Sequence, residues 1–182
     1  MRALRSDTRW IADFRARFDP WWATARPLIE AHQLSQAFAT YPWPTFTDTP
    51  WTPLRRPLSE CRVALVTTGG LYRPGIDVGF DGDAAAGDAS FRAIPASTDP
   101  ATLAIAHAHY PHELAEADMN TVFPLELLRE AAAAETIGEV AATHYSTMGY
   151  VVHADELAMV TAPTIAALMR EEGVDVALLV PV

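Results

Sequence analysis

Three segments of this chain gather most of the side chains able to do chemistry. The first is His107-Ala108-His109-Tyr110-Pro111-His112, followed within a short loop by Asp118 and Asn120. On an extended strand, residues two apart share a face, so His107 and His109 would point the same way. That is a common metal-ligand spacing, and with His144 and His153 downstream a multi-histidine site could form, the metal reading taking His107, His109 and His144. The same imidazoles serve equally as hydrogen-bonded struts at strand ends. The chain has no HExxH and no CxxC to favour the metal.

The second segment is His144-Tyr145-Ser146-Thr147-Met148-Gly149-Tyr150. An imidazole, two phenols and two hydroxyls beside a glycine suit general acid–base work or hydrogen bonds to a substrate. Ser146 lies too near His144 for the usual serine–histidine geometry, and there is no GxSxG elbow. The third segment is Thr67-Thr68-Gly69-Gly70-Leu71-Tyr72-Arg73-Pro74-Gly75. A glycine turn after a strand, here Gly69-Gly70, can offer backbone N–H groups to an anion. Arg73 and Arg92 could clamp a carboxylate through both guanidinium nitrogens, or simply pair with Asp81, Asp83 or Asp88.

Composition narrows the chemistry. All 13 basic residues are arginine, which removes a Schiff-base lysine and a P-loop lysine. A formal net charge of −10 repels nucleic acid and anionic lipid. The single cysteine, Cys61, excludes an internal disulfide framework and fits a reducing cytoplasm. There is no apolar run long enough to span a membrane, and the basic N-terminus is not followed by a signal-peptide core.

The elements that must position these residues are legible in part. Residues 8–40 read as helix interrupted at Pro20 and Pro27, with Trp10, Phe14, Trp21 and Trp22 supplying an apolar surface. A proline- and tryptophan-rich connector follows, through Pro42, Pro44, Pro50 and Pro53. The division expected is a helical extension over 1–59 and an α/β domain over 60–182. In that domain Arg62–Thr67 reads as a buried strand, 81–88 as loop and Phe91–Pro95 as a short strand. Residues 103–109 alternate and read as a strand. Helices are expected from Pro124 to about 135 and from Pro163 to the stop at Gly173. The final run, Val174–Val182, reads as a buried central parallel strand. The fold class expected is α/β: a mostly parallel, Rossmann-like sheet with flanking helices, preceded by a helical N-terminal segment. Ligands in such sheets sit beyond the carboxyl ends of the strands.

Taken in order, several stretches resemble the selenoprotein B family of glycine, sarcosine, betaine and D-proline reductases, its shorter D-proline type in particular. They are Val63–Gly75, Gly87–Pro95, His107–Tyr110, Asp118–Leu125, Ile137-Gly138, His144–Tyr150 and Glu172–Val182. The resemblance implies an oxidoreductase subunit that cleaves a C–N bond. A pyruvoyl group on a partner subunit condenses with the substrate amine, and a selenocysteine selenolate, or a thiolate in its place, displaces at the α-carbon. A nearby cysteine then resolves the oxidised selenium. The selenocysteine is expected just after Val182, so that the chain is truncated at a UGA codon and inactive as it stands; this chain itself would hold no cofactor.

Within that resemblance, His107, His109, His144 and Tyr145 are the catalytic candidates. Gly69, Gly70, Arg73, Arg92, Asp118, Asn120, Ser146 and Met148 are the candidates for holding substrate. The partners expected are the pyruvoyl-bearing subunit and a small amino acid or amine, in an oligomeric cytoplasmic assembly. Two other readings remain open at this point. One is a metal-dependent hydrolase or lyase built on the histidines. The other is a non-catalytic module whose aromatic N-terminal segment binds a partner.

Overall fold

The computed structural model describes residues 9–45 and 52–182. The chain divides into two compact units, 1–52 and 53–182. The first unit is helical. Helix α1 (Arg9–Glu30) and the short α2 (Leu34–Phe38) are joined through His32, which takes a left-handed φ of 56°. The expected interruptions at Pro20 and Pro27 do not occur, because α1 runs through both. Both prolines are exposed. The carbonyls they leave unpaired therefore face water, and the opposite face holds the helix straight enough. That face buries Phe14, Phe18 and Trp21, and Trp21 meets Tyr41 edge to face at 4.8 Å. The indole N–H of Trp21 donates to the Ala37 carbonyl at 2.9 Å. The middle of the proline-rich connector, 46–51, lies outside the described residues.

The second unit is mixed α/β with a mostly parallel sheet. Strand β1 (Arg62–Thr67) is its centre. The β2 strand (Leu71–Tyr72) follows the glycine turn, β3 is Phe91–Pro95 and β4 is Ala104–Ile105. Helices α3 (Glu113–Ala117) and α4 (Leu125–Ala133) lead to β5 (Glu139–Val140) and β6 (Thr143–Thr147). Then α5 (Ala154–Glu156) continues through one wide π turn, Leu157–Thr161, into α6 (Ala162–Glu171), and β7 is Val176–Val180. The wide turn sits just ahead of Pro163, whose missing N–H cannot continue the ordinary ladder.

Strand β1 pairs in parallel with β5, β6 and β7, and β3 pairs antiparallel with β6. Alternation along β1 divides the core. Val63 and Leu65 pack with Ile94, Phe123, Leu125 and Leu128 on one face. Ala64 packs with Tyr145, Ile165 and Met169 on the other.

Two expectations for this unit are corrected. The strand over 103–109 shrinks to Ala104–Ile105, paired antiparallel to β2 in a separate small sheet. After the Ala106 N–H reaches the Gly70 carbonyl at 2.9 Å, the chain turns, and the His109 N–H bonds the His107 ring instead of a neighbouring strand. His107 and His109 therefore do not share a strand face. The final strand is not central and buried. Among the described residues it pairs with β1 alone, and Leu178 and Leu179 are 43% and 68% exposed. An apolar run reports what a strand can bury, not where in the sheet it lies.

The loop between β2 and β3 is tied down by Arg92. Its guanidinium donates to the carbonyls of Val78 (2.6 Å), Gly79 (3.1 Å) and Phe91 (3.0 Å) and to the Ser90 hydroxyl (2.8 Å). It also lies 4.1 Å over the Phe80 ring. Arg92→Ala should lower stability by about 2–3 kcal/mol in urea unfolding and open residues 76–90 to proteolysis. Arg92→Lys should rescue little, since one ammonium cannot reproduce the planar fork. A stable, protease-resistant alanine variant would refute this role.

Candidate active site

The carboxyl ends of three parallel strands meet two loops here. The Thr68 N–H donates to Val180 at 3.1 Å, so the exits of β1 and β7 lie side by side. The Gly70 N–H donates to Thr147 at 2.9 Å, and Gly69 bridges Met148, which brings in the exit of β6. The turn after β4 then lays His107 against this junction. Gly70, at φ 68°, allows the approach: a Cβ there would stand 2.8 Å from the His107 Cβ and 2.9 Å from the Ala106 carbonyl.

His107 is 5% exposed. Its Nδ1 accepts the His109 N–H at 3.1 Å, while its Nε2 is buried with no hydrogen-bond partner. Burial, then the neighbouring His109 and His112, push its pKa down to about 4. Tyr110 stands edge-on to it at 4.9 Å and donates its hydroxyl to the Gly69 carbonyl at 2.9 Å. Burial pushes that phenol up to about 12, so it stays protonated. The His109 ring is exposed and stacks on Tyr150 at 3.9 Å. Tyr150 in turn donates to the Ala85 carbonyl at 2.9 Å, which ties the β2–β3 loop to the site.

The other candidates are engaged differently. His144 faces the core beside Phe123, fully buried, and its Nδ1 accepts the Leu65 N–H at 3.0 Å. Tyr145 points to the opposite face of β6, against Phe91 and α6. His144 is thus a strut between strands, and burial holds it near 4 as well. The Ser146 hydroxyl accepts the Leu71 N–H at 2.7 Å and fixes the turn between β1 and β2. Met148 is buried at the β6 exit. Arg73 forks onto Asp77, with both bonds at 2.8 Å, and holds that carboxylate below its usual range. Asp118 caps the next turn through the Asn120 N–H at 2.9 Å, and the Asn120 amide bridges Asp118 and Glu126.

The site therefore assembles Gly69, Gly70, His107, His109 and Met148, with Ser146 beneath the turn. Arg73, Arg92 and Asp118 spend their polar atoms on local structure, as does the amide nitrogen of Asn120, whose Oδ1 is buried without a partner. Thr68, Tyr110, Gly149 and Tyr150 belong to it as well; they lie in the three segments marked by the sequence but were not among the named catalytic or substrate-holding candidates. Only the positions of Thr68 and Gly149 just past two strands could have marked them. The metal reading needed His107, His109 and His144 on one ion. Among the described residues, no group of three histidine, cysteine, aspartate or glutamate side chains is placed to hold one. Cys61 sits at the amino end of β1, fully buried, with its Sγ 3.3 Å from the Pro57 carbonyl.

Comparison with known proteins finds reductase subunits among the relatives of this chain. The D-proline reductase subunit gamma of Acetoanaerobium sticklandii is 33% identical over 129 residues, covering 71% of this chain and 52% of that protein. The glycine reductase complex component B subunit gamma of Carboxydothermus hydrogenoformans is 31% identical over 140 residues, 76% of this chain and 32% of that protein. Its counterpart in Symbiobacterium thermophilum is 30% identical over 110 residues, 60% of this chain and 26% of that protein. The chain thus spans about half the length of the first of these relatives and less of the others. No solved structure matches. Residues 28–181 match the sequence profile of the glycine/sarcosine/betaine reductase selenoprotein B family, and with both the strand exits and the histidine turn inside that span, the chain belongs to this family.

Proposed function

We propose that this chain is the substrate-holding part of a selenol- or thiol-dependent reductase that cleaves the C–N bond of a small amino acid or amine of the glycine, sarcosine, betaine or D-proline type. The observation that carries the reading is the junction of the β1, β6 and β7 exits around His107, inside the stretches shared with reductase subunits. The reactive chalcogen is carried outside residues 1–182, because Cys61 is sealed at the amino end of β1. The partner is a subunit bearing a pyruvoyl group. The two electrons come from a dithiol: the C–N bond breaks with its electron pair leaving on the amine, the carbon gains hydrogen and the dithiol is oxidised to a disulfide, with the chalcogen as relay and the pyruvoyl group activating the C–N bond without net change.

This chain's own residues do the holding. Gly149, at the exit of β6, packs close to the buried Nε2 of His107: a Cβ there would lie 3.2 Å from that nitrogen. The Tyr110 hydroxyl on the Gly69 carbonyl keeps the turn in place, and the His109–Tyr150 stack covers its flank. With a pKa near 4, His107 is uncharged at neutral pH, so it does not repel the ammonium of an amino acid.

The test is reconstitution. The chain, supplied with the chalcogen-bearing segment and the pyruvoyl-bearing subunit, is assayed for amine or δ-aminovalerate release with dithiothreitol as reductant. Turnover should require both subunits and the dithiol. Turnover without the partner, or activity that follows bound zinc or iron, would overturn the reading.

A further inference from the structure

Strand β7 is an edge that nothing blunts. Among the described residues it pairs with β1 alone, and its other side meets no strand. Ala177, Leu178, Leu179 and Val182 are all exposed on it, Leu179 at 68%. Soluble proteins guard such edges with a charge, a bulge or a covering element, because an open edge recruits other strands. Here residues 176–182 are Val-Ala-Leu-Leu-Val-Pro-Val, with no charge among them. The register with β1 runs unbroken from Val176 to Val180, so there is no bulge either.

The backbone groups on that edge can be named. The Val180 carbonyl accepts from the Thr68 N–H and the Val182 N–H donates to the Thr68 hydroxyl, so the even-numbered residues turn their backbone towards β1. Alternation turns Ala177 and Leu179 outward, each with an N–H and a C=O. Outward donors stop on either side of them: the Asp175 N–H is spent on the Arg62 carbonyl at 3.0 Å, and Pro181 has none. A strand that fits this edge is apolar and presents two such residues at the same spacing, and β7 itself is such a strand. In an antiparallel pair about a two-fold axis through Leu178, Ala177 of each copy meets Leu179 of the other, and every N–H and C=O of these residues is satisfied. Leu178 then faces Leu178, and Val176 faces Val180, on the side of the sheet where Val176 and Val180 already pack against the core. Asp175 falls opposite Pro181, so no charge opposes its own kind.

We propose that β7 is the contact between two copies of this chain, joined edge to edge in that register into one continuous sheet. The net charge of −10 on each copy opposes association only through its long-range field, which salt screens. At the contact itself there is no charge to bury. A pair of five-residue strands is a small interface, of the size that associates reversibly. Because the two strands run in opposite directions, the two candidate sites lie at opposite ends of the shared pair. The proposal stands on the sheet edge alone and does not depend on the reductase reading.

The test uses the whole 182-residue chain. Sedimentation from about 1 to about 100 μM, in salt of about 0.15 M, spans the range in which a small interface forms. The mass should rise with concentration and level off at twice 19.8 kDa. Leu178→Lys sets two ammonium groups face to face on the axis and should weaken the dimer by about tenfold or more. Leu178→Cys should cross-link on mild oxidation, because opposed residues of this kind have Cα atoms about 4.5 Å apart, within disulfide reach. Leu179→Cys should not, since Leu179 of one copy lies diagonally from Leu179 of the other, about 7–8 Å away. Cys61 is fully buried and does not compete. A chain that stays monomeric throughout, growth past a dimer, a dimer untouched by Leu178→Lys, or cross-linking through Leu179→Cys instead of Leu178→Cys would overturn the proposal. So would release of the dimer by the chalcogen-bearing segment used for reconstitution, which would assign the edge to that segment.

Discussion

Gly87→Ala should cost about 3–5 kcal/mol, while the same exchange at Gly75 should cost about 1 kcal/mol. Both glycines have positive φ, 73° and 77°, so both lose backbone freedom on gaining a Cβ. Their surroundings differ. At Gly75 nothing lies within 4 Å of the added carbon. At Gly87 it would stand 1.8 Å from the Tyr150 carbonyl oxygen and 2.7 Å from the carbonyl carbon. No side-chain rotation relieves a clash with backbone, so the two chains must separate. Separation breaks the Gly87–Val151 bridge, the Val152 N–H bond to Ala86 at 3.1 Å and the Tyr150 hydroxyl bond to Ala85 at 2.9 Å. Hydrogen bonds of this kind contribute about 1 kcal/mol each. Urea unfolding of the pair of variants measures the difference, and hydrogen exchange locates it in 84–88 and 150–152. Equal costs at the two positions would show that this loop is not docked on Tyr150. The consequence reaches the site, because Tyr150 is the ring on which His109 stacks.

Stability should fall as pH drops from 7 towards 4, before the carboxylates are involved. His144 is held neutral by burial, its pKa moved from 6.5 to about 4. An unfolded chain returns it to its ordinary value. Between those two values the unfolded state binds more protons than the folded one, so the fold loses stability as pH falls through 6.5 and continues to lose it down to about 4. The loss at the bottom of that window is about 3 kcal/mol for His144. His107 adds a contribution of the same sign. The carboxylates of Asp77, Asp88 and Asp175 have pKa values lowered from 3.8, so their contributions disappear only below this window. His144→Leu should lose about 1–3 kcal/mol at pH 7, because the Leu65 N–H is left buried without its acceptor. The same variant should lack much of the acid dependence, so its stability curve converges on the parent's at low pH. Urea midpoints of both proteins across this range provide the measurement. A parent protein equally stable at pH 7 and pH 4.5 would refute the assignment.

These residues also mark how far the sequence could be read. Strands β1 and β3 are local patterns: an apolar run stopped by Gly69-Gly70, and a short run ended at Pro95. Their extents follow from side chains within a few positions of one another. The alternation of histidine with alanine over 103–109 has the same form, yet it does not make a strand beyond Ile105. There the His107 ring takes the His109 N–H that a ladder would need. The run at β7 was legible as a strand but not as one paired only with β1 among the described residues, since pairing partners are set by distant segments. The prolines of α1 were read as breaks, although their exposure makes them tolerable.

What the amino-acid order determined by itself was the family, the α/β class and the segments where polar chemistry gathers. Short motifs and their succession survive without knowledge of contacts. Only the tertiary structure decided that His107 faces the strand exits while His144 braces the core. An imidazole's role depends on the atoms within about 3 Å of each ring nitrogen. For His144 that atom is the N–H of Leu65, 79 positions away in the chain. The free nitrogen of His107 lies beside Gly149, drawn from the exit of β6.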